Sequence, residues 1–276
     1  MNIALVTDST ADIPKELLQE FNIYVIPNIV IIDGKSFQDG IDISRFDFYT
    51  QLPYLKTPPT TATASSGTYH QIYSKLFEQG VDTIVSIHVS QNLSGVFNAA
   101  CAAANEFNNR VHVIDSQQVT LGLGFQVLAA AKSAKSGSSL DEVLEEIEDV
   151  SSRIRVIAML DTLEYVHRSG RVSWARARLG NLLRVKPFVE VLYGEVNSLG
   201  QTRTRGKGIK RLLQLLKNLG ALEQIAILHT NAEEDARQLL EQIRPSFTQT
   251  PLLVNVTTAI GTHVGPNGLG FAAVLK

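Results

Sequence analysis

Thr83-Ile84-Val85-Ser86-Ile87-His88-Val89-Ser90-Gln91-Asn92-Leu93-Ser94-Gly95 decides the fold. Val and Ile dominate up to Ser90, which is how a strand buried in a parallel sheet reads. Gln91 to Leu93 break the run, and Gly95 opens a helical pattern that extends to Phe107. The same alternation continues outward. Asn2–Thr7, Tyr24–Ile32 and Val111–Ile114 are further strands bounded by Asp, Ser, Asn or Gly, with helices expected at Pro14–Glu20, Thr68–Glu78 and Val119–Ala134. Alternation of this kind predicts an α/β protein whose first domain holds a mainly parallel, Rossmann-like sheet with helices on both faces. Asp33-Gly34 marks a hairpin turn.

Ser139 and Glu142 form a capping box, followed at helical spacing by Leu140, Val143, Leu144, Ile147 and Val150. After about residue 152 the style changes. Ile154–Met159 reads as a strand, Asp161–Arg168 and Ser173–Leu183 as helices, and Phe188–Tyr193 with Val196 onward as a hairpin turning at Gly194. A helix through Ile209, Leu212, Leu213, Leu216 and Leu219 follows, then strand Ile225–His229 and a helix capped by Asn231 and Glu234. Strands at Leu252–Thr257 and Leu269–Leu275 complete the pattern. The expected organisation is 1–152 as a parallel α/β domain and 153–276 as a smaller, mixed one.

Composition narrows the function classes. A net charge of −2 gives no case for a nucleic-acid-binding surface. One cysteine, Cys101, rules out an internal disulfide framework or a cysteine metal cluster. The N-terminus lacks a basic segment before its apolar run, and no stretch approaches the ~20 apolar residues of a membrane span. The expectation is a soluble, cytoplasmic protein without a metal.

Catalytic signatures fail one after another. There is no H-E-x-x-H, and the six histidines lack metal-ligand spacing. Gly206-Lys207 lacks the following Ser or Thr of a P-loop, and Gly122-Leu123-Gly124 lacks the third glycine of a dinucleotide fingerprint. Ser94 has Asn92 two positions before it, so it is not a nucleophile elbow. Triads assemble in space, so these absences weaken the case for an enzyme without closing it.

Four segments do carry polar chemistry. Thr60-Thr61-Ala62-Thr63-Ala64-Ser65-Ser66-Gly67 is a hydroxyl-rich loop ahead of a helix, and its plainest reading is a helix cap. Ser90–Gly95 lies at the carboxyl end of a strand, where open α/β sheets bind ligands. There Ser94 and Gly95 would offer a hydroxyl, backbone N–H donors and a positive helix end, which suits an anion or simply caps the helix. Gly261-Thr262-His263-Val264-Gly265-Pro266-Asn267-Gly268 reads as a tight loop in which His263 could donate to an anion. Arg171 belongs to a run with Arg168, Arg176, Arg178, Arg184 and Lys186 that meets no acid before Glu190. A solvated basic face is the default there, and docking of an acidic partner or an anionic membrane is the functional alternative. On residues alone the chain is an anion-binding, two-domain α/β protein.

In this order, these segments resemble the DegV family of bacterial fatty-acid-binding proteins. The match runs nearly end to end, through Thr7-Asp8-Ser9-Thr10-Ala11-Asp12, Pro59 with the Thr/Ser loop, and Leu93-Ser94-Gly95. It continues through Ile114-Asp115-Ser116, Leu163-Glu164-Tyr165, Gly170-Arg171-Val172-Ser173, Lys186-Pro187 and His263-Val264-Gly265-Pro266. The resemblance implies two different α/β domains with a long-chain fatty acid between them, no cofactor and no independent catalysis. Some members are the acyl-binding subunit of a fatty acid kinase, feeding phospholipid metabolism through an acyl phosphate made by a separate ATP-dependent subunit. Carried over, Thr61 and Ser94 would donate to the carboxylate, with Gly95 and Ser65 beside them. His263 would lie at the headgroup and Arg171 near the pocket mouth and the kinase-facing surface.

The chain departs from the family pattern at Ala62, Val96-Phe97, Ser169 and Asn267, which bears on headgroup geometry and partner choice. Burying the tail is worth roughly 0.8 kcal/mol per methylene. An unpaired buried carboxylate is very costly, so the headgroup needs donors. Two other readings remain open at this point: a binder of a phosphorylated small molecule, and an acyl hydrolase using Ser94 with His263.

Overall fold

The computed structural model describes residues 1–170, 185–244 and 251–276. The expected helix at Ser173–Leu183 lies outside the described residues.

Strands β1 (Ile3–Asp8), β2 (Tyr24–Ile26), β6 (Thr83–His88) and β7 (Val111–Asp115) form one fully parallel sheet, ordered β2-β1-β6-β7. Every residue of β6 is buried, the polar Thr83, Ser86 and His88 included. Helices α1 (Lys15–Glu20), α3 (Ser66–Glu78), α4 (Val96–Ala104) and α5 (Leu121–Lys135) alternate with these strands.

The expected strand Tyr24–Ile32 is in fact two. Pro27 interrupts it, and β3 (Ile29–Ile32) joins a separate antiparallel sheet, ordered β4-β3-β5, with β4 (Lys35–Gln38) and β5 (Thr60–Ala62). Asp33 and Gly34, both at positive φ, make the β3–β4 turn. Thr60–Ala62, read above as loop, is therefore strand, with Thr61 opposite Val30. Helix α2 (Arg45–Gln51), capped by Ser44, packs its Phe48 and Tyr49 with Val30 and Ile32 of this sheet.

From Ile154 onward the chain builds a six-stranded mixed sheet, ordered β10-β9-β8-β13-β11-β12. Its strands are β8 (Ile154–Met159), β9 (Lys186–Leu192), β10 (Glu195–Thr202), β11 (Leu222–His229), β12 (Leu252–Asn255) and β13 (Leu269–Leu275). Both faces of this sheet are covered. Ile225, Ile227, Phe271 and Ala273 meet α8 (Arg205–Asn218) and α9 (Glu233–Ile243). Their neighbours Ala226, Leu228, Ala272 and Val274 turn the other way. On that side they join a core shared with α5, with α6 (Leu140–Arg153) and with the parallel sheet.

Helix α5 is consequently enclosed, with Leu121 through Ala131 all buried. Each large aliphatic side chain sealed there contributes about 1.5–3 kcal/mol. The capping box of α6 forms as expected: Glu142 N–H donates to Ser139 Oγ at 3.3 Å, and Ser139 N–H to Glu142 Oε2 at 2.7 Å. The expected Asn231 cap of α9 does not form. His229 Nδ1 instead accepts from the N–H of Ala232, at 3.2 Å.

Candidate functional site

Two helices complete the site. α7 (Glu164–Arg168) follows β8, and α10 (Thr258–Val264) precedes β13. His263 therefore stands on a helix, not in the tight glycine loop expected above. Only Gly265 to Gly268 turn the chain. Helix α10 packs against β3, β5, α2 and α7. This brings a residue from the end of the chain onto the small antiparallel sheet. His263 Nε2 lies 3.0 Å from Thr61 Oγ1, and both residues are half-buried.

The remaining expected residues sort by position. Ser94 and Gly95 end the loop between β6 and α4, and Ser94 Oγ accepts from Val96 N–H at 3.4 Å. Gly95 faces the β5 end: a methyl carbon there would touch Thr63 Cγ2 at 3.6 Å. Ser65 is the exposed N-cap of α3, its hydroxyl accepting from Thr68 N–H at 3.2 Å. Arg171 lies outside the described residues. Of the described members of the basic run, Arg168 pairs with Glu164 at 2.5 Å and Lys186 Nζ reaches Asp161 at 2.5 Å; further along the chain Arg205 Nε reaches Asp235 at 2.5 Å. Arg211 donates to the Leu199 carbonyl.

A shallow groove, open to solvent, is lined by Leu52, Leu55, Pro58, Pro59, Tyr165, Arg168, Ser169 and Thr262. Its walls adjoin the pair in sequence, since Pro59 leads into β5 and Thr262 precedes His263.

Sequence reasoning missed the groups that hold α10. Asp12, buried just past β1, accepts from Thr257 N–H at 2.9 Å, from Thr120 Oγ1 at 2.7 Å and from Arg45 at 3.1 Å. Burial, with the Asp39 charge adding, pushes its carboxyl up to about 6 against the opposing pull of Arg45 and Thr120. Asp39 accepts from Thr258 N–H at 3.1 Å and from both threonine hydroxyls, Thr257 and Thr258. Tyr49 Oη donates to the Val256 carbonyl at 2.9 Å. The Asp-rich segment Thr7–Asp12 was a signal in the sequence, but its partners were not.

An Asp–His–Ser chain is present elsewhere. His88 Nδ1 donates to Asp8 at 3.0 Å, and Ser86 Oγ lies 2.7 Å from His88 Nε2 and 2.8 Å from Tyr73 Oη. Burial works to raise Asp8, but hydrogen bonds from His88, Thr10 and Val89 hold it below the usual carboxylate range. All three side chains are sealed from solvent, so this chain pins the sheet and offers no exposed nucleophile. Ser94 and His263, the pair a hydrolase would use, have other partners, Val96 N–H and Thr61 respectively.

Among the described residues no group of three His, Cys, Asp or Glu side chains could hold a metal ion, and no helix is long and apolar enough to cross a membrane.

Fold and site together define a class: an α/β protein with a parallel and a mixed sheet, a hydroxyl–imidazole pair and a shallow groove of mixed lining whose residues neighbour that pair in sequence. The sequence model of the uncharacterised DegV family matches residues 2–276, and the chain belongs to that family. Protein DegV of Bacillus subtilis is 34% identical over 282 residues, covering 100% of both chains. A DegV domain-containing protein of Caldanaerobacter subterraneus is 34% identical over 273 residues, covering 97% of each. Among solved structures, a fatty-acid-binding DegV family protein from Thermus thermophilus superposes with a TM-score of 0.91 at 31% identity, covering 100% of both chains. The fatty-acid-binding DegV of Bacillus subtilis superposes at 0.89 and 33%, again over 100% of both.

Proposed function

We propose that this protein is a non-catalytic carrier of one long-chain fatty acid. The carboxylate is held by Thr61, His263 and Ser94 with the first N–H groups of α4, and the tail lies along the groove. The observation that carries this reading is the 3.0 Å Thr61–His263 pair, whose chain neighbours Pro59 and Thr262 line that groove. With His263 Nε2–H donating to Thr61 Oγ1, the threonine hydroxyl is oriented to donate to the carboxylate, and Ser94 with the α4 N–H groups supplies the further donors that offset its desolvation without a buried cation. Leu52, Leu55, the two prolines and the Tyr165 ring supply apolar wall for methylenes. The groove is open to solvent and encloses room for little more than one water, so a full chain has to part α7 from the 52–59 segment. Fatty acid binding by the Thermus thermophilus and Bacillus subtilis relatives supports the same ligand.

Ser65 stays in its cap and shapes the loop. The carboxylate presented at this site suits transfer to a separate ATP-dependent kinase, with Arg171 on the surface that meets it and a transient anionic membrane contact during loading. The cytoplasm is the compartment where such a partner would act. Thr61→Val keeps the shape of the side chain and removes its donor. By isothermal titration it should weaken binding of a long-chain fatty acid about tenfold or more, the worth of a hydrogen bond to a charged group. Unchanged affinity in both Thr61→Val and His263→Ala would refute the headgroup assignment.

A further inference from the structure

Helix α10 carries Gly261, and Gly265 follows its last residue at positive φ; an aromatic ring is pressed onto each. A methyl carbon at Gly261 would lie 2.6 Å from Cε1 and Cζ of Tyr49. One at Gly265 would lie 2.6 Å from Cε2 and 2.7 Å from Cγ of Tyr165. Both separations are shorter than any ordinary carbon contact, so the rings meet bare backbone. The rings come from different helices, α2 and α7.

The two rings differ in what else they touch. Tyr49 is fully buried, and its hydroxyl is tied to the Val256 and Thr257 carbonyls at 2.9 and 3.3 Å. It belongs to the fixed end of α10, with Asp12 and Asp39. Beyond the helix the chain is fixed again. Asn267 N–H donates to Thr230 O at 2.6 Å, and Arg205 donates to the Asn267 carbonyl at 2.7 Å. Tyr165 lies between these anchors, is half-buried, and also forms part of the groove wall.

We infer that Tyr165 is a positioning residue that couples the groove to the headgroup site. Its ring meets the acyl tail in the groove and the backbone at Gly265, two residues after His263, so a seated tail sets the place of the imidazole against Thr61. This inference rests on the fatty-acid reading above. It adds that head and tail recognition are not independent, because one side chain touches both.

The test compares hexadecanoate with its methyl ester in wild type, Tyr165→Phe and Tyr165→Leu. Wild type and Tyr165→Phe should prefer the acid about tenfold or more, the worth of its charged hydrogen bonds. Tyr165→Leu should lose most of that preference. If it weakens acid and ester equally and keeps the preference, Tyr165 is only groove wall and the inference is overturned.

A second measurement needs no variant. In wild type labelled with ¹⁵N-histidine, hexadecanol fills the groove without a carboxylate and should still shift the imidazole resonances of His263. No shift at saturating alcohol would overturn the coupling. A wild type that binds neither acid nor ester removes the fatty-acid reading itself, an outcome distinct from either of these.

Discussion

Asp12 accepts a 2.9 Å hydrogen bond from the backbone N–H of Thr257, 245 residues further along the chain. The turn after the first strand thus holds the start of the helix that carries His263. Asp39 grips the same point through Thr258 N–H and the hydroxyls of Thr257 and Thr258. These carboxylates fix the backbone from which the imidazole meets Thr61.

The Asp12 anchor has a pH signature. Its folded pKa of about 6 lies above the ordinary 3.8. Its contribution to stability is therefore fully present below about pH 4 and is lost as pH rises through 6. Asp12→Asn keeps an acceptor for Thr257 and removes the charge. Urea denaturation should show the variant gaining on wild type between pH 4 and 7, by on the order of 2 kcal/mol. A difference that stays flat with pH would contradict this.

His229 runs the opposite way. Burial lowers its pKa to about 4, and Nδ1 must stay unprotonated to accept from Ala232 N–H. Its contribution is present above pH 6.5 and fades as pH falls through 4. His229→Ala should cost about 1 kcal/mol or more at pH 7. That penalty should shrink towards pH 4, as read by thermal unfolding across the range.

Asp8→Ala tests the buried chain in the parallel sheet. The change strands the His88 Nδ1–H and Val89 N–H donors in a dry site. The expected loss is about 3 kcal/mol or more at pH 7, measured by chemical denaturation. A loss under about 1 kcal/mol would mean water replaces the carboxylate.

Gly261→Ala sets a methyl group against the Tyr49 ring. Overpacking of this kind costs typically about 1–3 kcal/mol. The fixed Tyr49 hydroxyl cannot yield without releasing Val256, so fatty acid affinity should fall together with melting temperature.

Much of the architecture is legible in the sequence because its signals are local. The capping box at Ser139 and Glu142, the turns at Asp33-Gly34 and Gly194, and the Ile and Val of β6 each report their own neighbourhood. Pro27 inside Tyr24–Ile32 was a readable interruption, since proline cannot continue a strand ladder. Other features depend on distant partners. Thr60–Ala62 becomes strand only by pairing with Ile29–Ile31. The glycines around His263 suggest a loop by composition, yet Gly261 serves helix packing against Tyr49 and Gly265 admits the Tyr165 ring. Thr61, Ser94 and His263 stand out by residue type and order, whereas Asp12, Asp39, Tyr49 and Tyr165 gain meaning only from contacts.

Native mass spectrometry of the purified protein, followed by denaturing extraction, tests the carrier assignment most directly. The account predicts one fatty acid per chain carried through purification, or stoichiometric uptake of added hexadecanoate by stripped protein. A clean apo mass that takes up no added fatty acid would contradict it, and would point to a phosphorylated small ligand at the same hydroxyl–imidazole pair.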